Sequence, residues 1–388
     1  MQNGKTEITL VEKGLGECAE IVRAEAHGGR VLLYTEEGRT GDDAATALAR
    51  AGLAVTRRDV SARMLGDYAS LSRQEIPEGT MAAVGAGGAP AVECAKAVPL
   101  SRNVPRLLIP LDLSALSALD DRAFFGTNGD ILCHREDNAR VLYDKAALSV
   151  SRQVRAGLGI LFALWVERLD GVYESLIEEG TCPSDALERL KKGACDLASI
   201  RESEVGNTTQ ETALAWAQEC AFREAPTYGS AHVLAMLAAR SSEGDYLDYL
   251  FPAAYALLRL YARYFGDLPL EHAAPPDRAR NVEFLEKRCG LSASPLLSRA
   301  KAYAADYERR ARVTAEYRED FAEAISDGAI TALSRIYRRA RKEEGESPLP
   351  PPTALLALLS LTGEAVSGYP VIKHIKTTGL LEPLLVAG

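Results

Sequence analysis

The stretch Met81-Ala-Ala-Val-Gly-Ala-Gly-Gly-Ala-Pro-Ala-Val-Glu-Cys-Ala-Lys96 runs as a buried strand, a glycine turn and the start of a helix. Gly85, Gly87 and Gly88 fall within four positions, so the backbone there can approach a group that brings no protein side chain. The helix that follows would offer unpaired N–H groups and a partial positive charge, which together seat phosphate. The order strand, turn, helix is the context in which a glycine cluster has this meaning. The competing reading is an ordinary tight turn, because glycine is also the residue that turns select. Both stay open on these residues alone.

The flanking sequence alternates in the same way. Arg30–Thr35 is a short apolar run of strand type, Asp42–Ala51 has helical apolar spacing and stops at Gly52, and Leu53–Asp59 returns to strand. Ala82–Val84 gives the next strand, Glu93–Val98 its helix, and Arg106–Pro110 another strand. Such alternation implies crossover units and a mainly parallel sheet covered on both faces. Sheets of this kind bind ligands at the carboxyl ends of their strands, where the Gly85–Gly88 turn falls.

After about Ala146 the character changes. Segments rich in Ala, Leu, Glu and Arg follow at Ser149–Glu179, Ser184–Ile200, Glu211–Arg223, Ala231–Ala239, Tyr246–Tyr264, Val282–Cys289, Pro295–Arg312 and Glu316–Lys342. Helical spacing dominates them, so this half is expected to be all-helical. The tract Ser347–Pro352 precedes a last helical stretch, Thr353–Leu361. The expected division is 1–147 and 148–388. The basic run Arg335–Lys342 is followed by Glu343, Glu344 and Glu346, the pattern of a solvated helix face.

Composition bounds the function. The chain of 388 residues carries a net charge of −9, which argues against nucleic acid or an anionic membrane as partner. The longest apolar stretch, Tyr249–Tyr261, is broken by Pro252 and Arg259, so no membrane span is expected. The start of the chain has no apolar signal core. Seven cysteines without a Cys-x-x-Cys pair suggest reduced thiols and a cytoplasmic protein.

With these segments in order, the whole chain resembles the superfamily of iron-containing alcohol dehydrogenases, glycerol dehydrogenase and 3-dehydroquinate synthase, and most of all sn-glycerol-1-phosphate dehydrogenase. The family's Gly-Gly-Gly-x-x-x-Asp-x-x-Lys segment is matched by Gly87-Gly88-Ala89-Pro90-Ala91-Val92-Glu93-Cys94-Ala95-Lys96. Its strand ending in Pro-Thr is matched by Leu107–Leu111, and its Ala-Gly-Leu-Gly-Asp by Ala156-Gly157-Leu158-Gly159-Ile160. Its Gly-Ser-x-His appears as Gly229-Ser230-Ala231-His232, and its closing helix is similar to Lys373–Leu381.

The resemblance implies an α/β, Rossmann-like parallel-sheet domain followed by an all-α domain, the dehydroquinate synthase-like fold. It also implies a dehydrogenase that uses NAD or NADP on a small-molecule substrate, and it admits a homo-oligomer. The cofactor diphosphate would lie over Gly85, Gly87, Gly88 and Ala89, with Glu93 steadying the loop and Lys96 near a phosphate. Glu36 and Glu37 would lie near the adenosine ribose, where an acid favours NAD over NADP by repelling a 2′-phosphate. The same residues also admit plainer roles: Lys96 an exposed helix residue, Glu93 a first-turn acid favoured by the helix dipole.

The departures from the family pattern concentrate at the metal. Relatives hold a divalent ion with one aspartate and two histidines. Here Ile160 takes the aspartate's place, the second histidine's region reads Tyr249-Leu250-Phe251, and only His232 remains. One imidazole cannot hold a catalytic metal, which needs about three protein ligands. Glu167, Asp170, Asp245 and Asp248 could rebuild a site, as could Asp112, Asp120 and Asp121 beyond the Pro110 strand. Solvated surface carboxylates are the expectation for all of them. Two function classes follow. One is a dehydrogenase acting on a small polyol or ketone, phosphorylated or not, with His232 or Tyr249 moving the alcohol proton. The other is a non-catalytic relative that keeps a dinucleotide-like ligand as a sensor or partner subunit.

Overall fold

The computed structural model describes residues 7–60, 75–98, 104–119, 122–127, 130–135, 139–144, 148, 154–179, 185–223, 229–241, 246–266, 307–341, 352–366, 368 and 370–386. The chain divides into two compact units. The first comprises 1–161, 203–227 and 244–246, and the second 162–202, 228–243 and 247–388.

The first unit is built on a six-stranded sheet of β1 (Glu7–Val11), β2 (Arg30–Glu36), β3 (Ala54–Val60), β4 (Thr80–Gly87), β5 (Arg106–Pro110) and β8 (Ala139–Asp144), in the order β1-β8-β5-β4-β2-β3. Every pairing is parallel. A separate antiparallel pair joins β6 (Arg122–Thr127) to β7 (Asp130–Arg135). A parallel sheet needs cover on both faces, and the side chains show it. Val31 and Leu33 of β2 enter one core with Val84, Leu107 and Ile109, against Val22 of α1 (Leu15–Glu25) and Leu48 of α2 (Arg39–Arg50). Leu32 and Tyr34 point the other way and are fully buried as well. The edge strand β3 is more polar, and its Arg57 binds Asp42 and Asp59.

One detail of register sets the site. Tyr34 pairs with Gly85, so two residues farther along the neighbouring strands Glu36 comes level with Gly87. The helix α3 (Ala89–Ala97) starts there, with Pro90 in its first turn, where a missing N–H costs nothing. The sequence-predicted helix begins only at Glu93; the alanine and proline before it already belong to the first turn.

The second unit is helical. The 26-residue helix α4 (Val154–Glu179) enters it, and α5 (Ala186–Ala198), α7 (Ser230–Ser241), α8 (Tyr246–Gly266), α9 (Tyr307–Glu316), α10 (Arg318–Ala324), α11 (Asp327–Arg341), α12 (Pro352–Ala365), α13 (Val371–Thr377) and α14 (Leu381–Val386) complete it. Its core is aromatic. Phe162 packs on Phe251 with ring centroids 4.5 Å apart, and Phe251 stacks on Tyr337 at 3.7 Å. Trp165, expected in the core, is buried and donates its indole N–H to the Ala324 carbonyl at 3.2 Å.

The helix α6 (Val205–Arg223) falls in the first unit. Helical periodicity alone assigns it to the second half of the chain. Tertiary contacts decide otherwise: Thr209 donates to the Gly157 carbonyl at 3.1 Å, and Tyr143 of β8 donates to Gln210 at 3.1 Å. The expected helix at Val282–Cys289 and most of Pro295–Arg312 lie outside the described residues, as do Asp120, Asp121, Asp245 and the side chain of Trp216. The expected helix Glu316–Lys342 is two, α10 and α11, separated at Ile325–Ser326. Among the described residues, no helix is long and apolar enough to cross a membrane.

Candidate functional site

Gly87 adopts φ of +145°, a conformation that glycine alone reaches without strain. A Cβ there would overlap the Glu36 carboxylate. At Gly88 a Cβ would come 2.7 Å from Asp112 Oδ2 and 2.8 Å from Ser114 Oγ. Gly85 serves packing: a Cβ would meet the Ala91 carbonyl at 2.7 Å and Ala95 Cβ at 2.8 Å, so its absence lets α3 lie close on β4. All three glycines thus have neighbours within the chain that require them.

The donors at the head of α3 are engaged. Gly88 N–H donates to Glu36 Oε1 at 2.9 Å, and Ala89 N–H donates to Ser114 Oγ at 2.9 Å. The Ser114 N–H donates to Asp112 Oδ1 at 2.7 Å, and the Ser114 hydroxyl bonds the same oxygen. Burial pushes the Glu36 carboxyl above its ordinary value and the Asp112 charge adds to this, against the pull of the Glu36, Gly88 and Ala91 N–H groups. The expected ribose contact at Glu36 therefore stands beside an observed one, on the turn itself.

Glu93 and Lys96 depart further from expectation. Both are buried, with Lys96 0% exposed. Lys96 Nζ donates to the Ser117 carbonyl at 2.7 Å and to Glu93 Oε1 at 3.3 Å. The pair ties α3 to the 3₁₀ turn Leu113–Leu119. Lys96 is not an exposed helix residue, and Glu93 is not a first-turn acid because α3 begins at Ala89; a phosphate contact from Lys96 would draw it from a buried carboxylate.

In the helical unit, His232 sits in the first turn of α7 and is buried. Its Nδ1 lies 3.1 Å from Glu167 Oε1, which also accepts the Ala231 N–H at 3.2 Å. An ionised Glu167 accepts from Nδ1–H, whereas a protonated one donates to Nδ1, so the direction of this bond follows the carboxyl's charge. Burial pushes Glu167 up to about 8, opposed by N–H groups at Gly229, His232, Ala231 and Ser230. One turn along α4, Asp170 accepts Ser230 Oγ–H at 2.5 Å, Tyr261 O–H at 3.0 Å and Val371 N–H at 3.0 Å. Burial raises it too, to about 8, and the Glu167 charge adds to this.

Glu167 and Asp170 were expected to be solvated, and the structure overturns this. They are 3% and 5% exposed and hold the starts of α7 and α13. The signal in the sequence was an acid pair three residues apart inside an apolar helix face: Leu164, Val166, Leu169 and Val172 surround it. Tyr249 is buried in α8. Ile160 is buried among Leu158, Leu161 and Phe162 in sequence, an apolar run that supplies no metal donor. Among the described residues, no three His, Cys, Asp or Glu side chains group as a metal site.

No family model matches the chain, and no curated protein matches it. Solved structures do. The structure of an archaeal halo-thermophilic Red Sea brine pool alcohol dehydrogenase matches 100% of this chain and 98% of its own, at TM-score 0.58 and 10% identity. The iron-containing alcohol dehydrogenase of Thermotoga maritima matches over 99% of both chains at TM-score 0.54 and 15% identity. Maleylacetate reductase from a Rhizobium species matches 100% of this chain and 98% of its own at TM-score 0.53 and 17% identity. The chain has the fold of the iron-containing alcohol dehydrogenases. In that fold the Gly85–Ala89 turn stands at the carboxyl end of β4, the second strand from β3 at the sheet's edge, with Glu36 of β2 beside it.

Proposed function

We propose that this chain is a dinucleotide-linked oxidoreductase that interconverts a small alcohol, such as a phosphorylated polyol, with its carbonyl form. The observation that carries the reading is the Glu36 carboxylate at the end of β2, against Gly87–Gly88 at the head of α3. A glycine turn at the carboxyl end of a parallel strand, with an acid on the neighbouring strand, is the setting of a dinucleotide seat. The alcohol dehydrogenase fold over the whole chain supports it.

The nicotinamide would supply the hydride acceptor or donor. Main-chain N–H groups of Gly88 and Ala89 would hold the diphosphate once Glu36 and Ser114 release them, and the displaced Glu36 carboxylate would repel a 2′-phosphate, favouring NAD. Glu167 orients the His232 imidazole through Nδ1, and His232 would move the alcohol proton. Tyr249 offers a phenol for the same step. A catalytic metal does not fit the donor set, because Ile160 has no lone pair and His232 faces a carboxylate that caps a helix. Titration of the purified chain with NADH and NADPH, alongside elemental analysis, tests this reading. NADH binding tighter than NADPH supports it; no dinucleotide binding at millimolar concentration overturns it, and stoichiometric zinc or iron overturns the metal-free route.

The engagement of His232 and Glu167 in a helix start favours a second reading, a non-catalytic relative that binds the dinucleotide as a sensor or partner subunit. Binding of NADH without turnover of any polyol, ketone or phosphorylated counterpart would select it.

A further inference from the structure

The first-turn donors of α3 are already used. Gly88 N–H and the Ala91 N–H serve the Glu36 carboxylate, and Ala89 N–H serves Ser114, which is in turn held by Asp112. A carboxylate bridging the N–H groups of a helix start does what a phosphate oxygen does there. The residues around it favour this internal arrangement: Gly87 and Gly88 have no Cβ, and one at either position would collide with Glu36, Asp112 or Ser114. Glu36 is partly buried, and its carboxyl is raised by burial and by Asp112, a second acid close by. A diphosphate approaching this turn meets two carboxylates and no unengaged donor on Gly88 or Ala89.

We propose that Glu36 is an internal stand-in for the ligand's phosphate, which holds the turn against diphosphates and must leave Gly88 before one can bind. Its position makes it a determinant of affinity, with a sign opposite to that of a simple ribose acceptor. A ribose acceptor strengthens dinucleotide binding, so its removal weakens every dinucleotide. A stand-in competes with the diphosphate, so its removal strengthens binding of the diphosphate group. The inference rests on the reading of the turn as a dinucleotide seat.

The experiment is calorimetric titration of the full-length chain with inorganic pyrophosphate, ADP and NADH. The proteins are the unaltered chain, Glu36→Ala, Glu36→Gln and, as a charge-matched control, Asp43→Ala on the exposed face of α2. Pyrophosphate is expected to bind Glu36→Ala roughly tenfold tighter than the unaltered chain, the size of one released charged hydrogen bond. Glu36→Gln keeps an acceptor for Gly88 N–H without the charge and is expected to fall between, while Asp43→Ala stays at the unaltered value. The glutamine variant also covers the case in which the alanine fails to fold. Pyrophosphate binding that is absent, unchanged or weaker in both Glu36 variants overturns the inference, whatever NADH does. Tighter pyrophosphate binding with no NADH binding to any of the proteins upholds the inference and overturns the oxidoreductase reading.

Discussion

Asp170→Asn isolates the buried acid that joins three helices. Asp170 Oδ1 accepts Tyr261 O–H and Val371 N–H, while Oδ2 meets Ser230 Oγ. Asparagine keeps the carbonyl acceptor in the first place and turns an amide donor toward the serine oxygen, as the protonated acid would, with the serine hydroxyl rotating to suit. The folded acid titrates near 8, against 3.8 for an ordinary aspartate, with burial as the main cause. The folded chain therefore holds a proton that the unfolded chain has released, and its stability falls as pH rises through that window. The loss is about 1.4 kcal/mol per pH unit, or roughly 4 kcal/mol between pH 5 and pH 8 from this one group. The asparagine variant cannot ionise at this position and loses none of it. The assay is urea unfolding at pH 5, 7 and 8, followed by emission of Trp165 with Trp216 replaced by phenylalanine. The variant is expected to lie within about 1 kcal/mol of the parent at pH 5, a hydrogen-bonded isostere, and to gain on it by several kcal/mol at pH 8. A variant that is several kcal/mol weaker at every pH, with the parent's pH slope unchanged, would show that Asp170 holds the helices as an ion and would refute the reasoning.

Other substitutions test the remaining parts. Lys96→Met leaves Glu93 buried without the lysine's charge and is expected to cost about 3–5 kcal/mol in urea unfolding, while Lys96→Met with Glu93→Leu recovers most of it. If the single and double variants are equally unstable, the pair is not the tie between α3 and the 3₁₀ turn. Gly85→Ala places a Cβ against the Ala91 carbonyl and Ala95 and is expected to destabilise by roughly 1–3 kcal/mol in the same assay. Gly193→Ala, in α5 with nothing within 4 Å of the added methyl, is expected to raise stability by about 0.5–1 kcal/mol. A melting temperature lowered by Gly193→Ala would count against the helix as described.

The sheet was legible because its strands announce themselves locally. Arg106–Pro110 runs between the bounds expected for it, and β2 and β3 lie within a residue or so at each end, since apolar runs bounded by glycine and charge leave little choice. The strands β1, β6, β7 and β8 and the helix α1 were not anticipated; Glu7–Val11 is short and half exposed, and its pairing with β8 spans most of the unit's sequence. The place of α6 could not be read either, because Thr209 and Gln210 find partners at Gly157 and Tyr143, far off in sequence. At the site, the residue types were visible but their loyalties were not. Lys96 looks like a phosphate contact until its distance to Ser117 is known, and Glu167 looks solvated until Gly229 and His232 fold onto it. Whether a charged side chain serves a ligand or a helix end depends on which backbone N–H groups arrive beside it, and single-sequence spacing does not carry that.

Among the described residues, a Cβ on any of three glycines would fall on top of a carboxylate from a distant segment: at Gly87 on Glu36, at Gly229 on Glu167 and at Gly368 on Glu174. In each pair a side chain on the glycine would occupy the space of the acid. This imposes an order on how such a chain can drift. Where the acid is buried and bonded, as Glu167 is, it cannot swing aside cheaply, so it must shorten or vanish before the glycine acquires a side chain. Descendants that have lost Glu167 would be free to fill the position at Gly229, whereas Gly87 at φ of +145° and Gly368 at +74° stay glycine whatever becomes of their acids. Only the Gly229–Glu167 pair should thus change together, acid before glycine.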